Sequence, residues 1–99
     1  MKKKIVVFGS GVHAKVIFHS IINNDHFKFL GFVDHKDKNK TIIKFKGVSY
    51  KIIDLLKNLD VIKKFKNLSG IIGVGSNFER SNLYELVQKK KIKINWETI

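Results

Sequence analysis

The sequence predicts an α/β fold, a small Rossmann-like domain with a parallel sheet of about four to five strands and helices on both faces. Two apolar runs, at residues 5–8 and 70–74, are each followed by glycine, which is typical of buried parallel strands. Apolar residues at three- to four-residue spacing come after each run and indicate a helix. Strands that alternate with helices favour a parallel sheet with helices packed on both sides.

The first third of the chain is interpreted as strand, helix and strand. Residues 5–8 form the first strand and 9–11 form a turn. A helix from residue 12 to about 23 or 24 is predicted from four apolar residues at helical spacing: Val12, Val16, Ile17 and Ile21. Alternating apolar residues over 27–33 predict a second strand that ends at Asp34.

The middle of the chain gives weaker signals. Residues 35–40 are predicted to form a charged loop, and 41–50 fit either a short strand or an irregular segment. A helix over 52–59, with Ser49 near its N-cap, is predicted from the spacing of five apolar residues: Ile52, Ile53, Leu55, Leu56 and Leu59. Residues 61–68 are consistent with a further helical turn.

The last third is interpreted as strand, helix and strand again. The third strand covers 70–75, and Ser76 and Glu79 have the spacing of a capping box that opens a helix. Its apolar face is formed by Leu83, Leu86 and Val87. Alternation over 92–96 predicts a last strand. We expect one domain over residues 1–99, because a chain of this length buries one modest core.

The chain is strongly basic and carries no cysteine. Its formal net charge of +12 comes almost entirely from lysine, because Arg80 is the only arginine. We therefore do not expect nucleic-acid binding, which favours arginine, whereas a positive field attracts anionic small molecules. The absence of cysteine excludes disulfides and cysteine-ligated metal and fits a cytoplasmic location. No apolar stretch reaches the length of a signal-peptide core or a membrane span.

A glycine turn, Gly9-x-Gly11-x-x-Ala14, joins the first strand to the first helix. Glycines let a phosphate approach the backbone, and the helix N-terminus offers free N–H groups and a partial positive charge. Asp34 ends the next strand, where a ribose hydroxyl or a base is recognised in such sites. His13 either donates a hydrogen bond to the anion or packs against a loop. The pattern predicts a nucleotide site, although any parallel α/β domain needs glycine at this turn.

A second motif, Gly73-x-Gly75-x-Asn77-x-x-Arg80, lies at the end of the third strand. Ligands of open α/β sheets bind at this edge, where the strand order reverses. Asn77 is a candidate hydrogen-bonding group and Arg80 a candidate anion contact. The alternative is a well-capped helix on which Arg80 is solvated or forms an ion pair with a neighbouring glutamate.

The sequence offers no catalytic or metal-binding constellation. No serine has an obvious base partner, and there is no P-loop. His19, His26 and His35 have no carboxylate partners at ligand spacing, so we expect no metal site.

Taken together, these motifs resemble the N-terminal domain of the NeuD/PglD-type sugar acyltransferases. The opening 4–16 is similar to that family's strand, glycine turn with histidine, and helix. Residues 31–34 match its second strand, which ends in one or two aspartates, and 72–80 match its Ile-Gly-x-Gly-x-Asn-x-x-Arg block. The segments 47–48 and 94–99 are similar to the family's approach to its middle helix and its crossing into a second domain, so the resemblance spans nearly the whole chain.

The resemblance implies a domain that binds a nucleotide sugar, UDP- or CMP-linked, for an acetyltransferase acting on an amino sugar or a sialic acid. In the family a C-terminal left-handed β-helix binds acetyl-CoA, forms the trimer and supplies a catalytic histidine. No hexapeptide repeat is present before Ile99, so we expect no catalytic residue and no acetyl-CoA site in this chain. The motifs and the resemblance together predict these contacts to the nucleotide sugar: Gly9, Ser10, Gly11, Val12, His13, Asp34, His35, Gly75, Asn77 and Arg80.

Two residues depart from the family pattern. Val12 stands where a second adjacent glycine is usual, and His35 replaces the second aspartate, so phosphate and ribose recognition are expected to differ. Two other functions remain open at this stage. One is an NAD(P)-binding module, although a dinucleotide usually needs the second half of a six-stranded sheet, for which this chain is too short. The other is a basic interaction domain without enzymatic activity.

Overall fold

The computed structural model describes residues 2–98. These residues form six strands, two α-helices and one 3-10 turn, in the order β1 (Lys3–Phe8), α1 (Val12–Ile21), β2 (Phe27–Asp34), β3 (Thr41–Phe45), β4 (Val48–Leu55), the 3-10 turn (Ile62–Lys64), β5 (Ser69–Ile72), α2 (Asn77–Lys89) and β6 (Asn95–Trp96). None of the helices in this part of the chain has the length and apolar character needed to cross a membrane.

The strands form one sheet in the order β3-β4-β2-β1-β5-β6, and all neighbouring pairs are parallel except β3 with β4. The central strand β1 ends in four fully buried residues, 5–8, as expected for a strand covered on both faces. After β1 the chain builds β2, β3 and β4 on one side and then crosses to place β5 on the other. The strand order therefore reverses between β1 and β5, and this is the point where ligands bind in such sheets.

One helix covers each face of the sheet, which confirms the predicted α/β architecture. On the first face, Val7 of β1 packs with Ala14 and Phe18 of α1. On the second face, the alternate residue Phe8 packs with Leu83 of α2, in a cluster that also contains the 3-10 turn. Because successive residues of a strand point to opposite faces, the continuous apolar run at 5–8 supplies both cores.

The predicted helix over 52–59 is wrong, because residues 48–55 form β4 and Ser49 lies inside that strand. The hairpin turn explains the error. Lys46 and Gly47 both have positive φ, 51° and 80°, as in the tight two-residue turns that join antiparallel strands. Phe45 pairs with Val48 across this turn, and Ile52 then pairs with Phe32 of β2. In a short run, the apolar spacing at 52–59 is compatible with either a helix or a strand. Pairing with β2 selects the strand.

The hairpin also resolves the segment 41–50 as strand and raises the strand number to six, above the four or five expected. The other elements differ from the prediction mainly at their ends. Helix α1 ends at Ile21, and the last strand is confined to Asn95–Trp96. The predicted N-cap of α2 is confirmed, since the Ser76 hydroxyl accepts a hydrogen bond from the Glu79 N–H at 3.0 Å.

A buried carboxylate holds the connection between β4 and the 3-10 turn. Asp54 is 1% exposed and accepts the backbone N–H groups of Leu55, Val61 and Ile62 at 2.8–2.9 Å. A buried charged group is stable only when its hydrogen-bonding capacity is met, and three donors achieve this here. This network fixes the loop that carries Leu56 to the edge of the sheet.

Candidate functional site

The loops that follow β1 and β5 lie side by side at the carboxyl edge of the sheet, as the two glycine motifs predict. Phe8 and Ile72 are paired in register, and the Gly73 N–H donates to the Phe8 carbonyl at 2.7 Å. The Gly9 N–H donates to the Val33 carbonyl of β2, also at 2.7 Å. The ends of three strands are therefore tied to one another directly beneath the loops.

Two glycines in these loops are required by close contacts. Gly9 has φ +114°, a conformation that other residues rarely adopt, and a Cβ there would lie 2.8 Å from the Gly73 carbonyl oxygen. A Cβ on Gly73 would lie 2.9 Å from the Cα of Ala14, which explains how α1 packs so tightly on the sheet. Gly11 and Gly75 differ, because a Cβ on either would meet no atom within 4 Å. Both of these glycines border open space.

That open space is a cleft of about 450 Å³. Its volume falls within the usual range for small-molecule sites. The cleft is lined by both loops, by the end of β2 and by one side of α2: Gly9, Ser10, Gly11, Asp34, His35, Leu56, Gly73, Val74, Gly75, Glu79, Asn82, Leu83 and Leu86. It thus combines glycine backbone and polar side chains with an apolar wall, the mixture typical of sites for small organic ligands.

The N-terminus of α1 opens at this cleft. Its N-cap is Gly11, which has no side chain to accept a backbone N–H, and the first turn contains no acidic residue. The first N–H groups of a helix have no partner within the helix, and the helix dipole places partial positive charge there. At α2, by contrast, the Ser76 hydroxyl caps the first turn. The first turn of α1 is therefore the better prepared of the two to accept an anion.

Asp34 stands at the end of β2 on the wall of the cleft. The Ser10 hydroxyl donates to its Oδ2, and the His35 N–H donates to its Oδ1 at 2.7 Å. These two bonds orient the half-buried carboxylate, and its remaining lone pairs can accept hydroxyl groups of a ligand. Ser10 also links the glycine turn to β2, so the N-terminus of α1 and the carboxylate are held in one arrangement.

The cleft brings together only some of the residues that the sequence singled out. Those that line it are Gly9, Ser10, Gly11, Asp34, His35 and Gly75. Val12 and His13 lie beside it in the first turn of α1, and Asn77 and Arg80 lie in the first turn of α2. All four have exposed side chains, with Val12 80% exposed, and none of them lines the cleft. Their contact with a ligand stays a prediction.

Sequence reasoning missed much of the α2 wall. Glu79, Asn82 and Leu86 recur at helical spacing and share one side of the helix, which faces the cleft. This spacing was visible in the sequence, but Leu86 was assigned to the core and Glu79 only to the capping box. Nothing in the sequence indicated that Leu56 lines the cleft, because its position depends on residues 48–55 forming a strand.

A second, smaller pocket of about 360 Å³ adjoins the cleft. The two share Ser10, Asp34 and His35, and the second pocket extends toward the loop after β2. Three lysines line it: Lys15, Lys36 and Lys40. A cationic wall beside Asp34 adds to the positive field at this edge.

The chain was also compared with known protein families and with curated proteins by its sequence. The sequence profile of a family described as the PglD N-terminal domain matches residues 4–87, which include both glycine loops, β2 with Asp34 and most of α2. No curated protein matches the chain. Within residues 2–98, no group of three or more histidine or acidic side chains is placed to hold a metal ion.

Proposed function

The chain belongs to the PglD N-terminal domain family, found in sugar acetyltransferases, and on this premise we propose that its cleft binds a nucleotide sugar. The ligand class is a UDP- or CMP-linked amino sugar or sialic acid. Acetyl transfer itself needs an acetyl-CoA site and a base, which the resemblance assigns to a separate β-helix domain. This chain then acts as the substrate-binding part of a cytoplasmic enzyme of cell-surface polysaccharide synthesis.

The observation that carries the proposal is the uncapped N-terminus of α1 opening onto the cleft beside Gly9 and Gly11. The phosphates of a nucleotide sugar suit this position, because backbone N–H groups and the helix dipole both favour negative charge. With no side chain at Gly11, a phosphate can approach the backbone closely.

Asp34 supports the same assignment. Its carboxylate is held by Ser10 and His35 at the end of β2, the place where a ribose hydroxyl is recognised in nucleotide sites of this kind. The apolar wall formed by Leu56, Leu83 and Leu86 suits the flat face of a base or a sugar.

Calorimetry with a panel of UDP- and CMP-sugars tests the proposal. We expect saturable binding that Gly11→Trp abolishes, because a Cβ at Gly11 meets no atom within 4 Å and the indole ring would then take up space at the mouth of the cleft. Gly75→Trp blocks the other loop in the same way. The control is Val16→Trp, which adds the same side chain at a position that is 58% exposed and does not line the cleft. Absence of binding to every nucleotide sugar would contradict the proposal.

An NAD(P)-binding module is the second candidate. The sheet does have six strands, the number found in a dinucleotide-binding fold. However, only β5 and the two-residue β6 continue the sheet beyond the switch point, whereas a dinucleotide fold builds a full second half there. Saturable enhancement of NADH fluorescence that UDP-sugars fail to compete would favour this candidate.

A further inference from the structure

A separate groove of about 560 Å³ lies at the opposite edge of the sheet from the nucleotide cleft and from the pocket that adjoins it. The cleft sits at the carboxyl ends of β1 and β5, whereas this groove is built from the segments that precede β5 and connect α2 to β6. Its lining residues are Lys63, Phe65, Lys66, Asn67, Lys90, Lys91, Ile92, Lys93 and Asn95. We call it the basic groove. Its position makes it independent of the nucleotide site.

The basic groove concentrates positive charge beyond the chain's average. Five of its nine lining residues are lysine, whereas lysine and arginine together make up 20 of the 99 residues of the chain. None of the lining residues is acidic. Lys63 forms an ion pair with Asp60 at 3.1 Å, on a side of the groove where both side chains are more than half exposed. Charges of one sign in a concave surface focus the field and attract a ligand of opposite charge.

The backbone at the end of α2 adds a second observation. Lys91 has φ +57°, the left-handed conformation in which helices commonly end with glycine. Its N–H donates to the Gln88 carbonyl at 2.9 Å, and the Ile92 N–H donates to the Val87 carbonyl at 3.3 Å, which completes a Schellman motif. A lysine in this position is less stable than glycine, yet it places one more ammonium group on the groove.

The chemistry of the groove suits oxyanions and offers little for the recognition of nucleic-acid bases. Its one aromatic ring, Phe65, is half-buried, and the Lys4 ammonium lies over the ring at 5.4 Å, which leaves little free surface for base stacking. The cations are all lysine, which bind oxyanions as point charges rather than as base-reading forks. None of the large exposed apolar side chains of residues 2–98 lines the groove, so a lipid surface has nothing there to insert.

We propose that the basic groove docks an acidic, extended segment of a partner protein, with glutamate or aspartate side chains meeting the lysines around Lys91. The contact is electrostatic, so it forms quickly and weakens with salt.

The test measures fluorescence anisotropy of a labelled oligoglutamate peptide against the intact chain. The groove variant carries Lys66→Glu and Lys93→Glu, and the matched control carries Lys44→Glu and Lys51→Glu on the β3–β4 hairpin. Each pair lowers the formal net charge of +12 by four, and all four side chains are exposed. We expect the groove variant to bind about tenfold more weakly than the control. Equal weakening in both variants would overturn the proposal, because the attraction would then depend only on net charge.

The variant Lys91→Gly separates a role of Lys91 in binding from a role in stability. Glycine relieves the left-handed strain, so this variant is expected to melt at a higher temperature while binding oligoglutamate more weakly. Unchanged peptide binding in the stabilised variant would count against the groove. Tighter binding of an oligouridylate of equal charge, or of phosphatidylserine vesicles, than of oligoglutamate would also overturn the assignment to an acidic protein segment.

Discussion

Gly9 and Gly73 meet across the junction of β1 and β5, and a Cβ on Gly9 would lie 2.8 Å from the Gly73 carbonyl oxygen. The contact lets two loops from different parts of the chain share one edge of the sheet. It also means that the side of the cleft formed by the two glycine loops is set by backbone packing. A ligand that spans both loops therefore meets a preformed site, which reduces the entropy lost on binding.

The first prediction follows from this contact. Gly9→Ala is expected to lower the free energy of unfolding by about 2 kcal/mol or more, because the residue has φ +114° and its Cβ would meet backbone. Gly75→Ala is the matched control, since its Cβ enters open space, and its effect is expected to stay within about 0.5 kcal/mol. Urea unfolding followed by the fluorescence of the single tryptophan, Trp96, measures both. Equal stability of the two variants would contradict this account.

A second prediction concerns the buried carboxylate of Asp54. Asp54→Asn turns an NH₂ group toward one of the three backbone N–H donors and is expected to destabilise the fold by about 1–3 kcal/mol. Asp60→Asn makes the same charge change on an exposed side chain, paired only with Lys63, and is expected to cost less than about 1 kcal/mol. The same unfolding measurement compares them. If Asp54→Asn is as stable as the control, the three hydrogen bonds do not hold the loop.

The architecture was predictable because its signals are local. The apolar run at 5–8 has no polar alternation and so indicates a strand buried on both faces, which the two cores confirm. Ser76 and Glu79 predict the start of α2 because a side-chain cap depends only on neighbours along the chain. The proximity of the two glycine loops could also be predicted, since the carboxyl ends of parallel strands lie at one edge of the sheet.

The β3–β4 hairpin was not predictable from spacing alone. Ile52, Ile53 and Leu56 satisfy a helical period, and their strand conformation is decided by pairing with β2, a contact distant in sequence. The turn at Lys46 and Gly47 carried the missing signal, but lysine at positive φ is uncommon and conceals it. The contribution of Leu56 to the cleft was missed for the same reason, because Leu56 directly follows the second strand of that hairpin.

A third prediction tests the role of Asp34 in ligand binding. Asp34→Asn is expected to weaken nucleotide-sugar binding about tenfold, because a charged acceptor of a ribose hydroxyl becomes neutral. Asp25→Asn is the control: it removes the same charge from an exposed side chain before β2, and Asp25 lines neither the cleft nor the pocket that adjoins it. Calorimetry of both variants against the same UDP- or CMP-sugar gives the comparison. Equal affinities would show that Asp34 makes no direct contact with the ligand.

A fourth prediction concerns Ser10, which donates to the Asp34 carboxylate. Ser10→Ala leaves the charge in place but removes one of the two bonds that orient it. We therefore expect a loss of affinity smaller than that of Asp34→Asn, and no change in the free energy of unfolding beyond about 1 kcal/mol. A loss larger than that of Asp34→Asn would mean that the hydroxyl itself binds the ligand.

The last prediction comes from Glu79, the second carboxylate on the cleft wall besides Asp34. If phosphates bind at the first turn of α1, this exposed negative charge opposes them across the cleft. Glu79→Gln is then expected to strengthen nucleotide-sugar binding about two- to fivefold, with a larger effect at low salt. Glu85→Gln, on the same helix but away from the cleft lining, removes an equal charge and serves as the control. Weaker binding in Glu79→Gln would instead assign the carboxylate to a hydroxyl of the ligand and place the phosphates elsewhere.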